Sequence, residues 1–304
     1  MAAQPVRPNY VVVGHITRDL LPGGDLRMGG TATYAAITAA RLGYRVGVLT
    51  SARADDVPRQ WLAPASQDTI GTDGQIAITC VSSPYTTTFE NIYVKGQRRQ
   101  IVRGVAAPLT ADNIPAHWRG ADILHLGPVA AEVDEASWGS IGAGLLGLTP
   151  QGWMRRWDAD GQVWPVEWQS APTFAAMSDP RLASGGAIVV LSIEDMGYDQ
   201  ERIHSLAHQF AVLVVTTGRL GASVFWRGTR HDVPAYATRE VDLTGAGDVF
   251  AATFFIRIHE GADPVKAAYF ANAAASLAIR EPGLCGIPYR QDVERQMQRA
   301  QQMT

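Results

Sequence analysis

The pattern of hydrophobic and polar residues begins with a strand, a helix and a second strand. Residues 10–14 form a short valine-rich run that ends in glycine, which is typical of a strand buried on both faces. Residues 31–42 are rich in alanine with apolar positions at helical spacing, and Gly43 follows where a helix end favours glycine. Residues 45–50 predict the next strand. This order predicts a βαβ unit and therefore a parallel sheet.

A different pattern fills residues 75–102, where apolar and polar residues alternate on both sides of a turn at 95–97. Such alternation predicts half-exposed antiparallel strands. A small antiparallel sheet inserted in a βαβ chain is usually a lid or an oligomer interface, and residues 19–28 could add a flap to it. An ordinary edge extension of the main sheet is the alternative, because antiparallel edge strands on parallel sheets are common.

The βαβ pattern then resumes and runs to the end of the chain. We expect further strands at 122–126, 187–193 and 211–217, a hairpin at 223–233, and helices at 134–146, 200–210, 245–260, 263–279 and 289–301. The predicted fold is therefore a doubly wound, mostly parallel α/β sheet flanked by helices. We expect a single domain over residues 1–304, with lid strands from about 15–30 and 75–103.

Composition excludes several classes of protein. The 304 residues include 26 Lys or Arg and 29 Asp or Glu, and this balance does not favour nucleic-acid binding. The only lysines, Lys95 and Lys266, stand outside any Gly-Lys-Ser or Gly-Lys-Thr triplet, so a P-loop is excluded. Two distant cysteines, no apolar leader and no bilayer-length apolar run predict a soluble cytoplasmic protein without membrane contact.

The strongest candidate for chemistry is the run VDLTGAGDVFAATFF over residues 241–255. Gly245, Ala246 and Gly247 are small enough for backbone N–H groups to approach an anion, and the helix predicted behind them adds its dipole. Asp248 falls in the first turn of that helix. Taken alone, it could be an ordinary helix-start acid. The similar-looking G-x-G-x-x-G at 142–147 follows no strand directly, so we discount a dinucleotide site there.

Three other features support a ligand site. Gly14 closes the first strand and Asp19 follows it, at the sheet edge where ligands of open α/β sheets collect. The pair Gly29-Gly30 opens the first helix and allows close approach of a ligand. Glycines at 218 and 221 turn the chain after the strand at 211–217. Each could be plain turn chemistry, but their order and spacing do not look independent.

These motifs resemble the ribokinase-like, or PfkB, family of carbohydrate kinases, and the resemblance covers nearly the whole chain. Its most specific part is Asp-x-Thr-Gly-Ala-Gly-Asp, which is intact over residues 242–248. The resemblance implies an ATP-dependent kinase that transfers the γ-phosphoryl group to a hydroxyl of a small sugar, polyol or cyclitol. It also implies Mg²⁺ and a monovalent cation such as K⁺. Phosphoryl transfer needs positioning and charge neutralisation, which a helix start can supply.

The resemblance assigns roles to individual residues. It implies Asp248 as the base that removes the substrate proton, with Gly245, Ala246 and Gly247 as the anion hole. We expect substrate contacts from Asp19, Gly29, Gly30, Thr31, Tyr34 and Arg155. Cofactor contacts are expected from Thr217, Gly218, Gly221, Thr244 and Asn272, the last near the adenine. Metal contacts are expected from Glu194, Asp195 and Asp242, the last with Thr244 at a monovalent-cation site.

The sequence also departs from the family pattern. The Asn-x-x-Glu that organises magnesium is replaced by Ser-Ile-Glu-Asp at 192–195, and Tyr34 stands where many of the sugar kinases have asparagine. These departures make ribose or fructose phosphate a less favoured substrate, and the pattern looks similar to the plant myo-inositol kinase branch. A nucleoside kinase that stacks a base on Tyr34, Phe89 or Tyr93, and a non-catalytic sugar- or nucleotide-binding relative, remain alternatives. An exposed lid would allow a homodimer.

Overall fold

A nine-stranded sheet forms the centre of the computed structural model, which describes residues 7–21, 23–57, 76–94, 97–168 and 187–302. Its strands are β1 (Tyr10–Val13), β4 (Val46–Ala52), β5 (Ile76–Ser82), β8 (Ile123–Leu126), β9 (Leu145–Leu148), β12 (Ile188–Ser192), β13 (Val212–Thr216), β14 (Ala222–Trp226) and β15 (Thr229–Val233). They lie in the order β15-β14-β13-β12-β9-β8-β1-β4-β5. Pairing is parallel from β5 to β13 and antiparallel through β14 and β15. The predicted mostly parallel sheet is confirmed.

Helices cover the sheet on both faces. They are α1 (Thr31–Arg41), α2 (Gln200–Ala207), α3 (Ala246–His259), α4 (Pro264–Ala278) and α5 (Arg290–Gln302). One face packs against α1, α3 and α4, and the other against α2 and several short 3₁₀ turns. Helix α3 is buried almost all round, as a helix in the interior of a large domain should be. No helix in the described ranges is long and apolar enough to cross a bilayer.

A separate four-stranded sheet forms the lid. It contains β2 (Thr17–Leu20), β3 (Leu26–Gly29), β6 (Thr88–Val94) and β7 (Gln97–Gly104) in the order β3-β2-β6-β7. The β2–β3 and β6–β7 pairs are antiparallel, as expected, while β2 and β6 run parallel. A short hairpin of β10 (Arg155–Trp157) and β11 (Val163–Pro165) lies beyond it in the chain. Pairing of two lids into a homodimer stays a prediction.

Strand β5 corrects the lid boundary that the sequence suggested. Residues 76–82 pair in parallel with β4 and form the edge of the main sheet, so the assignment of 75–82 to the lid is wrong for the residues described. The cause is that one-sided exposure produces alternation in any edge strand, whichever direction it runs. The lid within 75–103 therefore begins at Thr88.

The prediction of a helix at 134–146 is also wrong. This segment holds a 3₁₀ turn at Ser137–Ser140 and then the fully buried strand β9 between β8 and β12. Three glycines interrupt the segment, and Gly142 has a positive φ of 72° that an α-helix excludes. The G-x-G-x-x-G stretch leads into a strand, so its rejection as a dinucleotide loop agrees with the fold.

Candidate functional site

The start of α3 lies beside the lid and carries Asp248 in its first turn. Gly245 precedes the helix in a left-handed conformation, with φ 78° and ψ 0°. A Cβ atom added there would overlap the ring of Tyr34, so both the backbone conformation and the packing require glycine. Gly247 has open space on its outer side. The helix start is therefore accessible to a ligand while its base is firmly packed.

Charged groups from several elements surround Asp248. Its Oδ1 accepts a hydrogen bond of 2.7 Å from the Thr31 hydroxyl. Burial raises the pKa of Asp248 to about 6, against the lowering effects of the Thr31 bond and the charge of Arg155, and Asp195 and Asp19 raise it further. The structure thus brings Asp19 and Arg155, both expected at a substrate site, into electrostatic range of this carboxylate.

Two residues of α1 that we expect to contact the substrate have buried side chains. The side chain of Thr31 is 3% exposed and turned towards Asp248, and Tyr34 is 2% exposed with its ring under Gly245. Burial, followed by the charge of Asp248, raises the pKa of Tyr34 well above its usual value. Helix packing directs both side chains inward, and their contact with a substrate stays a prediction.

The glycine pair at the end of β3 leaves room for the side chain of Asp19. A Cβ on Gly29 would stand 2.7 Å from Asp19 Oδ2, and one on Gly30 would stand 2.5 Å from the His15 carbonyl oxygen. Gly30 also has a φ of 89°, which favours glycine. The pair therefore lets the lid strand enter α1 directly below the Asp19 carboxylate.

Asp242 lies in a cluster that includes a lid arginine. Its Oδ2 accepts hydrogen bonds from Arg27 Nη1 at 2.8 Å and from the Gly283 amide at 3.0 Å. Its Oδ1 accepts from the Thr244 amide at 2.9 Å. Burial would raise the pKa of Asp242, but the Thr244 and Gly283 hydrogen bonds and the charge of Arg27 outweigh it and lower the pKa. This carboxylate is a stable anion already paired with a cation.

The two acids expected at a magnesium site behave differently. Asp195 is half-buried and close enough to Asp248 to raise its pKa, whereas Glu194 is exposed. Ser192 closes the turn by accepting from the amides of Glu194 and Asp195. No three His, Cys, Asp or Glu side chains in the described ranges form a metal cluster. A half-buried carboxylate such as that of Asp195 fits Mg²⁺, which protein sites often hold by one or two carboxylates with phosphates and water.

The residues expected to contact ATP form a turn after β13. The Thr217 amide and hydroxyl both donate to the Gly221 carbonyl, at 2.8 and 3.1 Å, and Gly218 and Gly221 have positive φ values. Asn272 is 6% exposed and donates to the carbonyls of Val233 and Pro234, both at 3.1 Å. Its amide nitrogen thus binds the segment after β15, and its position near the adenine stays a prediction.

Sequence reasoning missed Glu132, a buried acid at the same edge of the sheet. Its carboxylate accepts from the amides of His15 at 2.9 Å, Val129 at 3.0 Å and Ala130 at 2.7 Å. These bonds join the chain after β1 to the loop after β8. The missed signal was an acidic residue just after a buried strand, at a position where unpaired amides of two loops converge.

Comparisons with known proteins support the interpretation of these motifs. Residues 190–290 match the model of the pfkB family of carbohydrate kinases. Ribokinase of Bacillus subtilis is 38% identical over 91 residues, which are 30% of this chain and 31% of that protein. Inositol 3-kinase of Zea mays is 31% identical over 134 residues, 44% of this chain and 33% of that protein. The match thus spans about a third of each of these two relatives.

The fold comparison covers far more of the chain. A pyrophosphate-dependent kinase of the ribokinase family, solved with a pyrophosphate analogue and myo-inositol, superposes with a TM-score of 0.72. The superposition covers 94% of this chain and 99% of that one at 21% identity, which establishes the fold. Residues 190–290 are thus similar to the pfkB family of carbohydrate kinases, and the chain as a whole has the ribokinase-like fold.

Proposed function

We propose that this protein transfers a phosphoryl group to a hydroxyl of a small sugar, polyol or cyclitol, with Asp248 as the general base. The observation that carries the proposal is the Asp248 carboxylate in the first turn of α3, held by Thr31 and facing charges from the lid and sheet. A pKa of about 6 suits a base that works near neutral pH, because it is mostly ionised and still accepts a proton.

In the proposed reaction the acceptor lies between Asp19 of the lid and Asp248. The hydroxyl oxygen of the acceptor forms a bond to the transferring phosphorus, and the hydroxyl proton passes to Asp248. The bond between this phosphorus and the bridging oxygen of the donor breaks, and its electrons stay on that bridging oxygen of the leaving phosphate. Backbone N–H groups at Gly245–Gly247 stabilise the transferring oxygens. Arg155, which already interacts with Asp248, adds a positive charge on the acceptor side.

The donor would lie along the turn of Thr217, Gly218 and Gly221. ATP is the donor that the family resemblance implies, and pyrophosphate is tested beside it because the superposed kinase uses it. With the Asn272 amide nitrogen bound to backbone carbonyls, an adenine would depend on other contacts. When bound, Mg²⁺ supplies charge neutralisation on the donor phosphates. Asp195, with Glu194 beside it, is the residue that would hold it.

A cyclitol or sugar is favoured over a nucleoside as the acceptor. Two of the aromatic rings considered for base stacking, Tyr34 and Phe89, are 2% and 5% exposed and belong to hydrophobic clusters. A ring with that little exposed surface offers no face to a base. The similarity to inositol 3-kinase of Zea mays and to a kinase solved with myo-inositol makes myo-inositol the first acceptor to test.

The test is turnover by the Asp248→Asn variant with a panel of cyclitols, sugars and nucleosides, using ATP or pyrophosphate as donor. Loss of the base should reduce turnover by about 10²- to 10⁴-fold. Donor binding, followed by thermal shift, should persist, because the anion hole and the turn at 217–221 are unchanged.

The matched control is Asp263→Asn. Asp263 is also a helix-start acid, and it caps α4 by accepting from the Lys266 amide at 3.0 Å. It should retain full turnover. Equal turnover in wild type and Asp248→Asn would refute the proposed base. Background turnover with every acceptor and both donors would instead favour a ligand-binding protein without useful catalysis.

A further inference from the structure

The family resemblance implies a monovalent cation at Asp242 and Thr244, and these residues can be tested for their fit to it. Such an ion needs oxygen ligands that are free to face it. Here Asp242 Oδ2 already accepts from Arg27 Nη1 and the Gly283 amide, and Oδ1 accepts from the Thr244 amide. The Thr244 hydroxyl also lies 3.5 Å from Arg27 Nη2. The oxygens that would bind an ion are therefore engaged by N–H donors.

The positive charge of Arg27 is a second reason why these residues do not fit a monovalent cation. A guanidinium remains protonated at any physiological pH, so a potassium ion beside Asp242 would meet a like charge within a few ångströms. The salt bridge is partly buried, with 34% of the Arg27 side chain and 16% of the Asp242 side chain exposed, so solvent screens it less than a surface pair. The described residues do not fit a monovalent ion while this bridge is closed.

The bridge also connects the lid with the anion-hole loop. Arg27 lies on β3 directly opposite Asp19 of β2, so the strand pair that presents Asp19 also carries the cation. Asp242 and Thr244 lead directly into Gly245, where α3 begins. The buried Tyr34 hydroxyl, which has no hydrogen-bond partner among the described residues, packs near Gly283 in the same cluster. Arg27 thus places a fixed positive charge behind the loop that would bind phosphate.

We propose that Arg27 replaces the monovalent cation beside Asp242, so that phosphoryl transfer by this protein needs no added potassium or sodium. This inference rests on the proposed kinase function. Arg27 is then a positioning residue, which acts through Asp242 on the loop at 242–245. Because Arg27 lies on β3, the lid supplies the positive charge of this site.

The test compares turnover in potassium, sodium and choline chloride at equal ionic strength. Wild type should change less than twofold among the three salts. Arg27→Ala should lose at least tenfold in choline, and potassium or millimolar guanidinium should restore part of the loss. Arg18→Ala is the matched control, because Arg18 lies on the neighbouring lid strand and pairs with Asp56 at 2.7 Å. It should show neither the loss nor the salt response.

A second readout needs no turnover and separates this proposal from the kinase assignment. The melting temperature of wild type should be the same in potassium and choline, while that of Arg27→Ala should rise in potassium because the ion now binds the folded state. A wild-type rate or melting temperature that depends specifically on potassium would overturn the proposal. So would an Arg27→Ala variant that is folded and impaired but responds to neither potassium nor guanidinium.

Discussion

Replacement of Asp248 by asparagine should stabilise the fold at neutral pH. Burial of the carboxylate raises its pKa from 3.8 to about 6, so the folded protein holds this proton more tightly than the unfolded chain does. The folded state therefore loses stability as the pH rises from about 4 to 6, and above 6 the whole cost is present. Asparagine is neutral at every pH and avoids this cost.

The size of the effect follows from the pKa. Each tenfold difference in proton affinity is worth about 1.4 kcal/mol, so the change from 3.8 to about 6 corresponds to about 3 kcal/mol. Because the side chain keeps some exposure to solvent, we expect a gain of about 2–3 kcal/mol for Asp248→Asn at pH 7–8. The gain should fall below about 1 kcal/mol near pH 4, where the folded wild-type carboxyl is protonated and the unfolded one is only partly ionised.

The assay is urea denaturation of wild type and variant at several pH values between 4 and 8, with the free energy of unfolding taken from each curve. In thermal scans the gain should correspond to roughly 5 °C, from a shift of about 2 °C per kcal/mol for a chain of this size. The two measurements should agree in sign at every pH.

Asp242→Asn provides a control of opposite sign. Hydrogen bonds from Thr244 and Gly283, with the charge of Arg27, lower the pKa of Asp242 despite its burial, so its ionised form stabilises the fold. That stabilisation is present above the unfolded pKa of 3.8 and is lost as the pH falls through the lower folded value. Asp242→Asn should therefore be destabilising at pH 7–8 and less so at acidic pH. An Asp248→Asn variant that is destabilised at pH 8, or whose effect is the same at pH 4 and 8, would refute the reasoning.

Three further substitutions test the packing around the site. Thr31→Val removes the hydrogen bond that lowers the pKa of Asp248. A hydrogen bond to a charged group is worth about 1.5–3 kcal/mol, so the acid limb of kcat/KM should move up by about one to two pH units. Thr38→Val, which loses only a bond to a backbone carbonyl of α1, should leave that limb in place. Glu132→Gln replaces one of the two carboxylate oxygens that accept from the amides of His15, Val129 and Ala130 by an NH₂ group, which cannot accept. It should lower the free energy of unfolding by about 2 kcal/mol or more, measured in urea. Gly245→Ala should cost at least 1–2 kcal/mol from its left-handed backbone alone, and a melting temperature equal to wild type would contradict the packing described.

Most of the sheet and the start of α3 could be predicted from sequence because their signals are local. A valine-rich run such as β1 has one stable environment, between two layers of helices. The run at 245–248 combines glycines with an acid at a helix start, which indicates an anion site without any knowledge of the rest of the fold. The sequence therefore predicts where this helix starts and which acid it carries, and the roles of the site residues stay predictions.

What could not be predicted depends on contacts between distant parts of the chain. Arg27 and Asp242 are 215 residues apart, and nothing near either one indicates their ion pair. The inward direction of Thr31 and the backbone contacts of Asn272 follow from how α1 and α4 pack, which periodicity alone does not determine. The 134–146 error has the same origin, since glycines and buried leucines suit a central strand once β8 and β12 lie on either side of it.

The contact between Tyr34 and Gly245 has a consequence for how this site can evolve. Any side chain at 245 collides with the ring at 34, so the two positions are coupled and must change in a fixed order. A residue with a side chain becomes available at 245 only after position 34 has lost its aromatic ring, and it must then also adopt a left-handed backbone. Saturation libraries at 34 and 245 should therefore recover functional non-glycine residues at 245 only in combination with a small residue at 34.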